Sequence, residues 1–358
     1  MRLLVPLALL VPCSLLAQQR TLSLAAPDAR LAIEFSDLTA MRELADGRVL
    51  LFDRRENRLA VVDFRNGSIR DVARQGRGPG EFEFVATLLA LSGDSTIAAD
   101  LSWRWLILEG DRVVATLPPD HPAVRAVSLA PLGADGRGRV LSRRFRGGRG
   151  LNDSTYVLLV HRVTGRADTI SMLRNGVRRA PIRIEAAPGQ GKGIRISRIP
   201  LDVGEAPLLQ PDGWVAIVRL EPYRVDWRSP EGRWTSGAPI PVRAIRMTDR
   251  ERKAYTDRRP GFRNATDWPE LLPPFDTPPT LLPSPEGWLV IRRLPSADEP
   301  EPRYDVIDRS GTRRAQLVLR ANEHVLGFGQ RSVYVVETDA DGIQRLRRHP
   351  WPAGGRAP

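Results

Sequence analysis

RNGSIRDVARQGRGPGEFEF, residues 65–84, is the stretch whose reading decides the fold. Asn66-Gly67 is a hairpin-turn dipeptide and leads into a strand. A glycine-spaced turn, Gly76-Arg77-Gly78-Pro79-Gly80, follows, and Glu81-Phe82 opens the next β-rich run. The same strand–turn–strand unit recurs down the chain. An acidic residue or Gly precedes a β-rich run in ADGRVLLFD (45–53), GDSTIAAD (93–100), DGRGRVLSRRF (135–145), DGWVAIVR (212–219), EGWLVIRR (286–293) and QRSVYVVETD (330–339). Each of the first five is followed by a second β-like run and a turn, at Asn66-Gly67, Gly110-Asp111, Thr164-Gly165, Glu231-Gly232 and Ser310-Gly311. Six units of four strands, A to D from the inside out, predict an all-β chain folded as a six-bladed β-propeller. The sixth unit stops after IQRLRRHPW (343–351), one strand short, while TLSLAAPDARLAIEF (21–35) precedes the first unit unassigned. This N-terminal segment is expected to supply the missing outer strand, closing the ring and hiding a sheet edge.

The first seventeen residues, MRLLVPLALLVPCSLLA, have one basic residue, a short apolar run and a small residue at Ala17. That is the layout of a secretory signal peptide, too short to span a bilayer. The expected organisation is therefore a signal peptide at 1–17 and a propeller at 18–358, with a periplasmic or secreted product. Pro12 and the short apolar run argue against a lipid anchor on Cys13. Cys13 is the only cysteine, so a chain cleaved after Ala17 has no disulfide and no thiolate metal site. The formal charge is +12, and all basic residues but Lys192 and Lys253 are Arg. A basic balance favours anionic partners, and what matters is where the charge sits.

QGRGPGEF, with DGRVLLFD before it and with Trp214 and Trp288 just after blade-turn glycines, resembles the bacterial exported six-bladed β-propeller family related to NHL-repeat propellers. The resemblance implies the fold and a binding surface, and no single activity.

Alternating strand directions put all D-to-A and B-to-C connections on one face of the disc. Two D-to-A connections are long, 174–206 between blades three and four and 241–280 between blades four and five. Both should rise from that face near the channel mouth, where long loops on a rigid scaffold are commonly functional. Thr248-Asp249-Arg250-Glu251 is a capping box, predicting a helix to about Asp257 that stops before Pro260-Gly261. PIRIE and GIRISRI around GQGKG predict a protruding β-hairpin.

On that face the sequence offers candidate ligand-binding residues Arg77, Glu81, Arg144, Arg146, Arg149, Asn152, Asp153 and Arg195. The arginines come from the glycine turn, from the run Arg143–Gly150 and from the first insertion. The glycine turn at 76–80 could cradle an anion on its N–H groups, but a tight turn with Glu81 satisfying loop amides is the preferred reading. No catalytic residue is assigned. His121, His161, His324 and His349 lie in separate segments without paired spacing, and there is no G-x-S-x-G elbow. GQGKG (189–193) has Ala186 where a phosphate-binding loop needs its first glycine. The loop 337–342 resembles a calcium loop, but its twelfth position falls on Arg348. No cofactor is expected, with calcium left open because oxygen ligands drawn from loops have no spacing signature. The function expected is an exported binding or interaction module, more a binder than an enzyme. Its partner would be a protein, glycan or small molecule of anionic character, rather than a nucleic acid. One alternative is a divalent-metal hydrolase or lactonase of the gluconolactonase-like kind, for which Glu81, Asn152, Asp153 and Glu205 qualify by loop position. A polyanion-binding protein is another.

Overall fold

The computed structural model describes residues 20–127, 130–145, 154–175, 182–185, 193–196, 199–275 and 280–352, with backbone alone for the two four-residue segments. Six antiparallel sheets form the expected six-bladed ring. Blade one is Leu38–Glu43, Val49–Asp53, Arg58–Asp63 and Ser68–Ala73, strands A to D in order. Blade two is Val85–Ala90, Ser95–Asp100, Arg104–Glu109 and Arg112–Leu117. In blade three, strands B to D are Arg139–Phe145, Ser154–His161 and Ala167–Arg174. Its inner strand shrinks to Leu132–Ala134, where Leu132 donates to the Leu141 carbonyl at 2.8 Å and Ala134 bridges to Val140. Blade four is Ala206–Leu209, Val215–Leu220, Tyr223–Arg228 and Trp234–Ser236. Blade five is Leu281–Pro283, Leu289–Arg292, Arg303–Ile307 and Arg313–Val318. Blade six contributes Glu323–Phe328, Ser332–Thr338 and Gln344–Pro350.

Burial follows radius. Successive strand residues point to opposite faces of a sheet. In the B strands both faces are covered by neighbouring blades, so Val49–Asp53 is buried at every position and reads as a continuous apolar run. The core is therefore a set of seams between blades. Leu50, Phe52 and Leu59 of blade one pack with Leu88, Ala98 and Leu106 of blade two. Ala216 and Trp227 of blade four pack with Leu289 and Ile291 of blade five. The D strands face solvent, and Trp234–Ser236 is exposed throughout.

The N-terminal segment closes the ring as expected. Ala29–Phe35 pairs antiparallel with Gln344–Pro350 and completes blade six. It also does something the sequence reading did not anticipate. Thr21–Leu22 adds to the outer strand of blade five in parallel, with Thr21 opposite Gln316 and Leu22 opposite Leu317. One short segment thus covers the edges of two consecutive blades. Leu22 is fully buried beside Tyr304 and Trp351, while Leu31 and Phe35 are buried against Tyr334 and Leu346. Burying three such side chains contributes roughly 1.5–3 kcal/mol each, which together rivals the whole 5–15 kcal/mol of a typical folded domain at about its lower end. Deleting residues 18–35 should therefore abolish the cooperative thermal transition. A truncated chain that melts like the full-length protein would show that the ring does not depend on this strand.

Candidate functional site

The Gly76–Glu81 turn sits on the D-to-A connection from blade one to blade two, and its polar groups are turned inward. Gly76 donates to the Phe82 carbonyl at 2.8 Å, Gly78 to the Glu81 carboxylate at 2.8 Å, and Gly80 to the Thr116 hydroxyl at 3.1 Å. With all three glycine N–H groups engaged, the loop works as a staple between two blades. Gly80 has φ +75°, the left-handed region where a side chain is strained. Glu81 accepts from Gly78 and then from Arg74 at 2.6 Å, and these bonds hold its carboxyl below the ordinary range. Phe82 is fully buried edge-on to Phe52. Arg77, exposed at the loop's tip, is paired with Glu83 at 2.6 Å.

Beside the staple, blades one and two solve the same turn differently. Asp53 and Asp100 end their B strands, and both are buried. Asp53 accepts from the N–H groups of Ser36, Asp37, Arg55 and Glu56. Asp100 accepts from Glu83, Phe84 and Ser102 and pairs with Arg104 at 3.1 Å. Burial pushes the Asp100 carboxyl up, but the N–H groups of Ser102, Glu83 and Phe84 outweigh it, and the net result is a lowered value. Each turn then returns through one residue in left-handed backbone just before strand C. In blade one that residue is Asn57 with φ 47°, a type that tolerates the conformation. In blade two it is Trp103, with φ 61°. A bulky residue there is an outlier. Trp103 is 45% exposed, and its neighbour Leu101 is 51% exposed. The sequence reading missed this position, although Ser102-Trp103-Arg104 has a tryptophan where turn chemistry asks for Asn or Gly.

The second insertion carries the expected helix, Asp249–Arg258, capped by the Thr248 hydroxyl accepting from the Glu251 N–H at 3.4 Å. The capping box is only half formed. Glu251 was expected to return a bond to the helix start; instead it is buried and accepts from the Ala297 N–H at 2.8 Å. A tertiary contact has taken the carboxylate and pins the helix to the B-to-C loop of blade five. Arg258 donates to the Pro295 carbonyl at 2.7 Å and Arg250 pairs with Asp298 at 2.7 Å, reinforcing the same join. Tyr255 packs against Phe262 and edge-on to Trp268, within a small core that includes Leu201, Met247 and Leu294. The first insertion forms the expected hairpin, Ile182–Glu185 against Gly193–Ile196.

The other candidates fall as follows. Arg144 is exposed at the end of strand B in blade three, on the insertion-bearing face. Arg195 pairs with Arg183 through the hairpin backbone, and its side chain lies outside the described residues. Arg146, Arg149, Asn152 and Asp153 also lie outside the described residues. Glu205 accepts from the Arg174 N–H at 2.9 Å and pairs with Arg219 at 2.7 Å, joining blades three and four. Glu81 and Glu205, two carboxylates suggested for a metal, are thus each committed to protein partners. Among the described residues no group of three or more His, Cys, Asp or Glu side chains converges. Loop 337–342 is a plain hairpin turn, with Asp339 accepting from Asp341 and Ile343.

His324, on the inner strand of blade six, is the most perturbed imidazole described. Burial lowers its pKa to about 4, with Arg292 adding to the effect and Asp37 opposing it. The unfolded chain takes up a proton at this residue near pH ~6.5, whereas the folded ring refuses it until pH about 4. Stability is therefore fully present above the unfolded value and is lost as pH falls through that window. His324→Gln should lessen the fall in melting temperature across the same window. An unchanged slope in thermal unfolding at stepped pH would assign the proton uptake to other groups.

No family signature and no characterised protein matches the chain at significant sequence similarity. Among solved structures, regucalcin from Agrobacterium tumefaciens, a calcium-binding protein, is 11% identical and aligns over 93% of this chain and 97% of its own, with a TM-score of 0.41. A Bacteroides fragilis protein, presumed exported, is 11% identical over 92% of this chain and 94% of its own, with a TM-score of 0.49. A luciferin-regenerating enzyme is 10% identical over 90% and 96%, with a TM-score of 0.42. Identities this low speak to fold alone, and the ring itself rests on the strand pairing described above. No described helix is long and apolar enough to cross a membrane.

Proposed function

We propose that the protein is an exported, NHL-like propeller that binds a partner across its insertion-bearing face, and that the partner presents apolar surface together with negative charge. Trp103 carries this reading. A large aromatic side chain is kept half-exposed in a left-handed backbone conformation that costs roughly 1–3 kcal/mol, at a turn where blade one uses Asn57. A strained backbone that leaves a large aromatic side chain half in solvent is what a contact residue would require. Leu101 beside it enlarges the apolar patch, and Arg144 brings positive charge to the same face. An acidic glycan has the matching chemistry, with ring faces to lie on the indole and anionic groups for the arginines.

Immobilised polygalacturonate and heparin, with dextran and polyglutamate for comparison, provide the test. The wild-type protein should be retained on an acidic glycan, and Trp103→Asn should weaken retention about tenfold, the loss of one good aromatic contact. Its melting temperature should hold or rise, since Asn suits the backbone. Equal retention by the variant would move the contact surface elsewhere, and an unfolded variant would make Trp103 a packing residue.

The arginines answer a separate question. Replacing Arg144, Arg146 and Arg149 together with Ser should flatten the salt dependence of binding, because exposed charges are screened beyond roughly 8 Å at physiological ionic strength. The melting temperature should barely move, as exposed substitutions typically stay within about 0.5 kcal/mol. Salt titrations that superimpose for the two proteins would remove these arginines from the interface.

A further inference from the structure

Away from the Trp103 patch, the second insertion and blade five enclose a cavity of about 260 Å³. Its walls come from three parts of the chain. The insertion supplies Pro241–Ile245 and Leu272–Pro273, the B-to-C loop of blade five supplies Leu294–Ser296, and the flank of blade five supplies the rest. Four arginines line it, Arg243, Arg293, Arg303 and Arg313, together with Glu299 and Glu301.

Two of these arginines are already committed. Asp305, fully buried behind the wall, is held by Arg293 at 3.2 Å and Arg313 at 3.4 Å. Its remaining capacity is filled by the Tyr223 hydroxyl at 3.0 Å and the Gln316 amide at 3.1 Å. Arg303 is different. Its Nη1 donates to the Gln316 amide oxygen at 3.3 Å, and Glu299 and Glu301 each lie 3.7 Å from its guanidinium, close enough to attract and too far to hydrogen-bond. Its Nε is sealed from solvent and faces the Glu299 carboxylate without a hydrogen bond. Four guanidiniums against the three carboxylates Asp305, Glu299 and Glu301 leave the cavity one positive charge in surplus.

We infer that this cavity binds a small organic anion, whose carboxylate or phosphate group is clamped between the guanidinium groups of Arg243 and Arg303. The size suits this, falling a little below the roughly 300–1,000 Å³ of sites for drug-sized ligands. Glu299 and Glu301 sit where they would accept from hydroxyl or amine groups on the rest of the ligand, favouring a substituted acid over a bare ion. Thr21 of the closing strand also lines the cavity. A bound anion would touch the insertion, blade five and the ring closure together, and would raise the melting temperature of the whole protein.

The full chain is tested by thermal unfolding at constant ionic strength, with inorganic phosphate or malonate replacing sodium chloride. The expected result is a saturable rise in melting temperature with one or both probes. Comparing phosphate with malonate tells a phosphoryl site from a carboxylate site. Arg243→Ser, an exposed loop substitution, should leave the melting temperature in chloride unchanged and weaken the fitted affinity about tenfold, as loss of a charge-assisted clamp implies. Arg303→Gln should do the same by calorimetry. A shift no larger than that of chloride, or one retained by both variants, overturns the assignment. Trp103→Asn should leave the shift intact, so failure of this site and failure of the glycan reading are told apart.

Discussion

Six sheets can bury both of their faces only if the ring they form has no ends. That constraint governs nearly everything else in this protein. The chain has one cysteine, at position 13, so no disulfide can hold the ring shut. Closure rests on apolar burial and strand pairing, and the segment at 21–35 supplies both. Leu22 fills the seam between blades five and six, while Leu31 and Phe35 fill the seam that runs back to blade one. Arg345 ties the closing strand down by bridging Glu34 and Asp339.

The arginine excess takes on a different meaning in this setting. Many guanidinium groups are spent on joining parts of the ring. Arg48 bridges Asp46 and Asp111, linking the turns of blades one and two. Arg219 of blade four holds Glu205 and Asp226 and reaches across to the Met172 carbonyl of blade three. A planar fork with five donors suits such two-partner roles better than a lysine ammonium does. Where solvent reaches such pairs they contribute about 0–1 kcal/mol each, so there their effect is to select alignment more than to add stability. The charge left over is what a partner or ligand meets.

The architecture was legible in the sequence because its signals are local. Asn66-Gly67 and Thr164-Gly165 mark hairpins through turn chemistry alone, and a fully apolar strand such as Val49–Phe52 announces burial on both sides. The reduced inner strand of blade three also had a local sign, in Pro131 and Gly133. Gly133 passes so close to the Leu209 carbonyl that a side chain there would collide with it. What could not be read depends on distant segments meeting. Two residues at 21–22 have no periodicity with which to announce a parallel pairing. Glu251 follows the capping rule in sequence, but Ala297, forty-six positions away, captures its carboxylate. The cavity at blade five is built from three separated stretches. Trp103 stayed hidden for the opposite reason, since its position breaks the turn rule by which such positions are recognised.

The register of the closing strand has a bearing on how the protein comes into being. Glu34 and Arg345 meet across 311 positions of chain. The strand that finishes the sixth blade leaves the ribosome long before its partner does. Early blades can pair locally as they appear, but each waits with a bare flank until the final strands arrive. Contacts of such long range are slow to form, and unpaired edges invite association between chains in the interval. A nascent chain of this design gains from being kept unfolded until both of these strands have been made.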